Sequence, residues 1–326
     1  MVNILVTGST GLVGHALYSI IHKYQSENNV TIDLIPYSSK IANLCNYNES
    51  YEYIKTLHIT HKLDGIIHLA ANVGGLFKNM SFPVEMIQDN LLMNTNILQI
   101  AHDLDINNVI MCLSTCIFPD KVIKYPITID DLHSGPPHHS NEGYAYAKRL
   151  CDSLTRAYQK QYNRRYFCVV PTNIYGPHDN FDLHDAHVIP ALIHKCWLAK
   201  KNNTEFVIAG DGSPLRQFIF SEDLAYNILW AYTNYTDIIK PLIICPPNSE
   251  VSISKVVNTI AELFKHTNNL VYDTSKPNGQ YKKTANSFEG SYTFKSIEEG
   301  LQITINWFNN TLCNNKKIRG ILQSSR

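Results

Sequence analysis

The chain has 326 residues, more than one ordinary domain needs, and that length suits a nucleotide-binding sheet with a smaller appended lobe. Its 28 Lys and Arg residues balance its 28 Asp and Glu residues, so no net field draws it to nucleic acid or to an anionic membrane, and a small-molecule partner is favoured. The eight cysteines contain no Cys-x-x-Cys pair and no dense spacing, which argues against a metal site and a disulfide framework and for reduced thiols in a cytosol.

The amino terminus runs Met1-Val2-Asn3-Ile4 straight into a strand pattern, without the charged and long apolar regions of a secretory leader. No apolar run reaches membrane-spanning length, so a cytoplasmic protein is expected. Ile4 to Val6 predicts a strand that stops at Thr7-Gly8, and apolar residues at helical spacing from Gly11 to about Tyr24 predict the helix after it. Strands are predicted again at residues 31–35, 65–69, 109–113 and 166–170, each almost continuously apolar, as a parallel strand covered on both faces must be. Helices are predicted between them, around residues 50–58, 84–103 and 144–161. These repeated βαβ units imply a doubly wound parallel α/β sheet.

Past Val170 the punctuation thickens, at Pro171, Gly176-Pro177, Gly210, Gly212, Pro214 and Pro246-Pro247. A second, smaller α/β lobe is expected there, with one amphipathic helix through Ile253, Val256, Val257, Ile260, Leu263 and Phe264. The expected division is residues 1–170 for the nucleotide-binding domain, with about 217–245 returning to it, 171–310 mainly for the substrate-binding lobe, and 311–326 for a flexible polar tail.

Gly8-Ser9-Thr10-Gly11-Leu12-Val13-Gly14 follows the first strand and opens the first helix, where backbone amides and the positive helix end receive a pyrophosphate. Glycine serves where a side chain would strike the phosphates or block packing of helix on sheet. The G-x-x-G-x-x-G spacing resembles the extended short-chain dehydrogenase/reductase family, which implies a Rossmann-like fold. The second strand ends near Pro36-Tyr37-Ser38-Ser39-Lys40 without the carboxylate that would bind ribose hydroxyls of NAD. Ser39 and Lys40 suit a 2′-phosphate, so NADP(H) is the expected cofactor.

Tyr144 and Lys148 are four residues apart, on one face of the predicted helix, and the ammonium is expected to lower the phenol's pKa. Ser114 leaves the fourth strand, at the end where open α/β sheets bind ligands. Together they match the Ser-Tyr-x-x-x-Lys triad of the same family, able to protonate a carbonyl oxygen or steady an enolate. Relatives that dehydrate nucleotide sugars carry an acidic pair after this serine, whereas here Cys116 follows. A thiol and an imidazole can exchange carbon-bound protons beside a ketone near neutral pH, although taken alone Cys116 reads as a small buried apolar residue and His187 as a structural or exposed histidine.

Ser114-Thr115-Cys116-Ile117-Phe118-Pro119, Asn141-Glu142-Gly143-Tyr144, the run from Pro171 to Asn180, and His187-Val188-Ile189-Pro190-Ala191-Leu192 all resemble the GDP-L-fucose synthase family. Ala70-Ala71-Asn72-Val73-Gly74-Gly75 and Gly279-Gln280-Tyr281-Lys282-Lys283-Thr284-Ala285 extend that likeness, from residue 2 to about residue 308. The resemblance implies a bifunctional 3,5-epimerase and NADPH-dependent 4-reductase acting on a GDP-linked 4-keto-6-deoxyhexose. It assigns Ser114, Tyr144 and Lys148 to reduction and Cys116 and His187 to epimerisation. Ala70, Ala71, Tyr144, Lys148, Pro171, Thr172, Asn173, Ile174 and His187 then line the cofactor. Lys195, Arg216, Asn278 and Lys283 hold the substrate.

Two positions depart from that pattern: Ala209 stands where the family tends to have tryptophan, and Asn278 where it tends to have aspartate. Both bear on which nucleotide and sugar are accepted. The segment Ile41-Ala42-Asn43-Leu44 also lacks an acidic residue common in relatives. A homodimer through the helices at 84–103 and 144–161 is implied by the resemblance. The rival readings are another nucleotide-sugar reductase or 4-epimerase on the same scaffold and a non-catalytic NADP-binding protein.

Overall fold

The first strand, β1 (Val2–Thr7), buries Ile4 to Thr7 completely and stops where Gly8 takes φ +68°. A Cβ at Gly8 would lie 2.8 Å from the Ala70 amide nitrogen, so only glycine lets the loop cross so closely. Gly11 then caps α1 (Leu12–Asn28), which ends on Asn29 in the left-handed region at φ 50°. The computed structural model describes residues 1–276, 281–288 and 292–321.

β2 (Ile32–Pro36), α2 (Tyr47–His61), β3 (Gly65–His68), α3 (Leu76–Ser81), α4 (Pro83–Asp103), β4 (Asn108–Cys112), α5 (Glu142–Tyr162) and β5 (Arg165–Pro171) continue the alternation. The predicted elements therefore exist, with helices longer at their ends than apolar spacing indicated. α2 shows why: its polar first turn is held by the Asn46 side chain, which accepts from the Glu49 amide, and no apolar period is needed for that. Beyond β5 come β6 (Asn173–Tyr175), α6 (Val188–Asn202), β7 (Phe206–Ala209), β8 (Leu215–Phe220), α7 (Ser221–Asn234), β9 (Leu242–Ile244), β10 (Glu250–Ser252), α8 (Ile253–Phe264), β11 (Leu270–Asp273) and α9 (Ile297–Cys313).

The main sheet is parallel and ordered β2-β1-β3-β4-β5-β9. Winding reverses between β1 and β3, so the Gly8 loop and the Ala70-Ala71 turn meet at the switch point where such sheets bind ligands. On one face α4 and α5 bury Ile97, Ala101 and Cys151 against Leu5, Ile66 and Val170. On the other, α1 and α7 bury Leu17 and Ile228 against Ile4, Ile67 and Phe167. Each side chain sunk this way contributes about 1.5–3 kcal/mol, and their number fixes the sheet as a rigid platform.

The chain re-enters the main sheet at β9, beside β5, while β8 pairs with β6 and β10 in a separate three-stranded sheet. β7 and β11 form a two-stranded parallel pair. These small sheets pack with α6, α8 and α9 around Ile193, Phe218, Phe220, Ile260 and Phe308. The tail expected to be flexible from residue 311 is instead seated as far as Ile321: α9 runs to Cys313, and Ile318 is buried in this third core. Among the described residues no helix is long and apolar enough to cross a membrane, and no cluster of three metal-ligating side chains exists.

Candidate active site

The glycine loop fits a dinucleotide phosphate on three counts. Gly11 offers no side-chain cap to the first amides of α1, and the first turn carries no acidic residue, so the positive helix end faces outward uncompensated. Gly14 is packed so closely on the carbonyls of Gly8 and Ser9 that a Cβ would strike both. Ser9 donates to the Tyr37 carbonyl at 3.3 Å, which ties the loop to the end of β2. Ser39 and Lys40 follow in an exposed turn, and Tyr37 is turned inward onto Ser50. Val13, by contrast, is buried in the core beneath α1, so its side chain serves packing and only its amide can address a phosphate.

Under this loop lies a polar cluster that the sequence did not reveal. Thr7 Oγ1 accepts from the Leu69 and Ala70 amides at 3.1 and 3.2 Å and pairs with His68 Nδ1 at 2.8 Å. Asn94 meets the other ring nitrogen at 3.2 Å. Burial, with the charge of Lys148, pushes the His68 pKa down to about 3, so this ring is neutral and structural. A buried histidine inside a strand has no periodicity that marks it, and only the fold brings Thr7 and Asn94 to it.

At the end of β4, two consecutive cations of α5 hold one loop. Lys148, 2% exposed, donates to the Cys112 carbonyl at 2.8 Å, and Arg149 donates to the Ile117 carbonyl at 2.5 Å. Ser114 and Cys116 lie between those anchors, with the Cys116 amide donating to Ser114 Oγ at 3.4 Å. Arg149 was not singled out from the sequence, although a Lys-Arg pair on a largely buried helix face was a visible signal.

Tyr144 is one turn before Lys148, whose ammonium lies 5.8 Å from the ring centroid. The expected lowering of the phenol's pKa does not occur. Burial raises it well above the usual value, the thiols of Cys116, Cys112 and Cys151 add to this, and the ammonium is committed to the Cys112 carbonyl. Tyr144 is thus held as a protonated phenol. Burial also raises the Cys116 thiol, against the pull of Lys283, Ser114 and Lys148.

His187 caps the start of α6 without a side-chain hydrogen bond to the helix. Its ring is open to solvent, yet enough protein surrounds it that loss of bulk water lowers its pKa, with the charge of Arg319 adding to the effect. It lines a cavity of about 190 Å³ with Asn173, Ile174, Ala209 and Arg216. Arg216 donates to its neighbour's carbonyl, at Leu215, at 2.7 Å. Lys283 links this cavity to the β4 loop, because its charge acts on Cys116 and is itself opposed by that of Arg216.

Pro171 and Thr172 are buried at the end of β5, and Asn173 is exposed and donates to the Gln217 carbonyl at 2.8 Å. Lys195 stands apart: it lines a wider groove of about 400 Å³ with Asn202, Glu205, Asp273 and Lys276, on the far side of Ala209, which borders both spaces. Asn278 lies outside the described residues.

A doubly wound sheet with an uncapped glycine loop at its switch point and a Ser, Tyr and Lys at the next strand end define a nucleotide-cofactor enzyme class. The chain belongs to the NAD dependent epimerase/dehydratase family, whose model matches residues 4–244. It is 43% identical to the GDP-L-fucose synthase of Dictyostelium discoideum over 94% of each chain. It is 41% identical to a probable GDP-L-fucose synthase of Drosophila melanogaster, over 94% of this chain and 97% of that one. The crystal structure of a GDP-L-fucose synthetase from Naegleria fowleri bound to NADP superposes with a TM-score of 0.87, at 41% identity, over 97% of this chain and 95% of the other.

Proposed function

We propose that this chain is a bifunctional enzyme that converts GDP-4-keto-6-deoxy-D-mannose to GDP-L-fucose, by 3,5-epimerisation followed by NADPH-dependent reduction at C4. One observation carries the reading: Ser114 and Cys116 are fixed on a single loop beside Tyr144 and Lys148, and Lys283 couples that loop electrostatically to the cavity holding His187 and Arg216. The family and its GDP-L-fucose synthase relatives, matched over nearly their full length, agree with it.

In this reading the amides of the Gly8–Gly14 loop hold the pyrophosphate, Ser39 and Lys40 the 2′-phosphate, and Ala70, Ala71, Lys148 and residues 171–174 the rest of the cofactor. Ser114 and Tyr144 face the ketone oxygen and steady the enolate that forms when a proton leaves C3 or C5. Cys116 and His187, a thiol and a neutral imidazole at rest, form a donor and an acceptor that remove a proton from one face and return one to the other. These steps change configuration without consuming electrons. NADPH, when bound, supplies the hydride that C4 receives. Tyr144, kept protonated by its raised pKa, donates the proton that completes the C4 hydroxyl. Arg216, with Lys283 and Lys195, serves the diphosphate and nucleotide side.

The exposed apolar residues Val84 and Leu92 on α4 and Tyr146 and Leu150 on α5 support a homodimer through these helices, and light scattering at the monomer mass of 37.1 kDa would oppose it. The eight free cysteines suit a reducing, cytoplasmic setting. The coenzyme preference tests the cofactor reading directly. With no carboxylate at residues 37–40, kcat/KM with NADPH is expected to exceed that with NADH by about tenfold or more, a tenfold ratio corresponding to roughly 1.4 kcal/mol. Equal or better use of NADH refutes it.

A further inference from the structure

The C-terminal segment returns to the loop that carries His187. Ile318, 2% exposed, anchors it in the third core. The Arg319 carbonyl accepts from the Phe181 amide at 2.9 Å, and Gly320 turns with φ +83° where a Cβ would strike the Asp182 amide nitrogen and Asn180 Oδ1. Elsewhere on the same loop the Gly75 amide donates to the Asp185 carbonyl at 3.0 Å, and His194 Nδ1 meets the Phe181 carbonyl at 2.7 Å. The path from Asp179 to His187 is therefore held both by the hook at residues 318–320 and by the loop after β3.

Asp179 lies beside the hook, 6% exposed. One of its oxygens accepts from the Asn180 amide at 2.7 Å, and the other has no hydrogen-bond partner. Burial pushes its pKa up to about 7, against the downward pull of the Arg319 guanidinium. The same guanidinium acts on His187. One cation from the chain's end thus bears on both the buried carboxyl at the start of the loop and the imidazole at its end.

We propose that Arg319 is a positioning residue for His187: its main chain, with Gly320, fixes the loop that carries the histidine, and its guanidinium supplies the positive charge that the ring meets. The proposal rests on reading His187 as one of the proton-transfer pair. A neighbouring cation disfavours imidazolium, so losing it moves the titration of His187 to higher pH, whichever direction the proton travels. Of the other titratable or charged groups, Asp182, His184 and Asp185 precede the histidine on its own loop, and Arg216 from β8 lines the same cavity, while Lys195 on α6 lines the separate groove beyond Ala209. None of them is removed by a change at residue 319.

The test is wash-in of solvent deuterium into the ring of GDP-4-keto-6-deoxy-D-mannose, with NADP⁺ present so that reduction is silent, measured across pH. Arg319→Gln is expected to move the profile to higher pH by about half a unit or more, the scale of one nearby charge removed. Arg319→Lys is expected to restore it. Gly320→Val, which displaces the hook, is expected to slow wash-in by about tenfold to a hundredfold with NADPH binding unchanged. An Arg319→Gln protein with an unaltered melting temperature and an unaltered profile, set beside a His187→Gln protein that has lost wash-in, overturns the role of Arg319 alone. A His187→Gln protein that exchanges like the native enzyme overturns the reading of His187 itself.

Discussion

Replacing Cys116 with serine is expected to slow deuterium wash-in from solvent into the sugar ring by about 10²-fold to 10⁴-fold, the usual contribution of one positioned acid or base. The reason is local. Cys116 is 7% exposed on a loop fixed at Cys112 and Ile117, so a hydroxyl at the same place keeps the geometry and loses the acidity. A serine hydroxyl is far less acidic than a thiol, and the nearby Lys283 and Lys148 charges that pull the thiol downward cannot bring it into range. NADPH binding is expected to be unchanged, because the glycine loop belongs to β1 and α1, on another strand end of the sheet. Fluorescence titration of NADPH beside the exchange rate checks both halves. Undiminished wash-in in the serine variant would remove Cys116 from the chemistry.

Tyr144→Phe is expected to separate the two activities in the opposite sense. Loss of the phenol removes the proton donor at the C4 oxygen, so NADPH oxidation should fall by about 10²-fold to 10⁴-fold. Wash-in should fall less, since Ser114 still faces the enolate. The pH dependence follows from the raised pKa of Tyr144. A donor must be protonated, and a group whose pKa is raised stays protonated until the pH passes that higher value. The native enzyme should therefore show no alkaline limb in reduction attributable to Tyr144 at or below about pH 10, its ordinary value. A tyrosine limb near neutrality, in single-turnover reduction, would show that the ammonium governs the phenol after all.

The dinucleotide half was legible because its signals are local. Gly8, Gly11 and Gly14 sit at fixed spacing between an apolar strand and an amphipathic helix, and the close approaches at Gly11 and Gly14 are to the loop's own Gly8 and Ser9, although the one at Gly8 is to Leu69 and Ala70. Tyr144 and Lys148 were legible for the same reason, as neighbours one turn apart. What failed was the inference from spacing to acidity. Proximity along a helix shows that an ammonium is near, but burial and its bond to the Cys112 carbonyl decide what it does.

The smaller sheets were harder to read. β6, β9 and β10 have three residues each, too short for alternation to register. The C-terminal segment hides its seat for a compositional reason. Asn309 to Lys317 is rich in polar residues, and the single buried anchor, Ile318, is followed by a glycine turn whose partner lies more than a hundred residues earlier. Nothing in the segment alone signals that Arg319 meets the loop of His187. Ala209 stands out in the sequence as a departure from the family pattern, but only the fold shows it as the shared border of the cavity with Arg216 and the groove with Lys195.

The central claim is that one pocket inverts two carbons and then reduces the ketone between them. Full turnover of GDP-4-keto-6-deoxy-D-mannose in D₂O with unlabelled NADPH, read by proton NMR of the product, tests it most directly. The expected product is GDP-L-fucose with deuterium at C3 and C5, protium at C4, and one NADPH oxidised per sugar. A reduced sugar with the original configuration and no deuterium at C3 and C5 would contradict it.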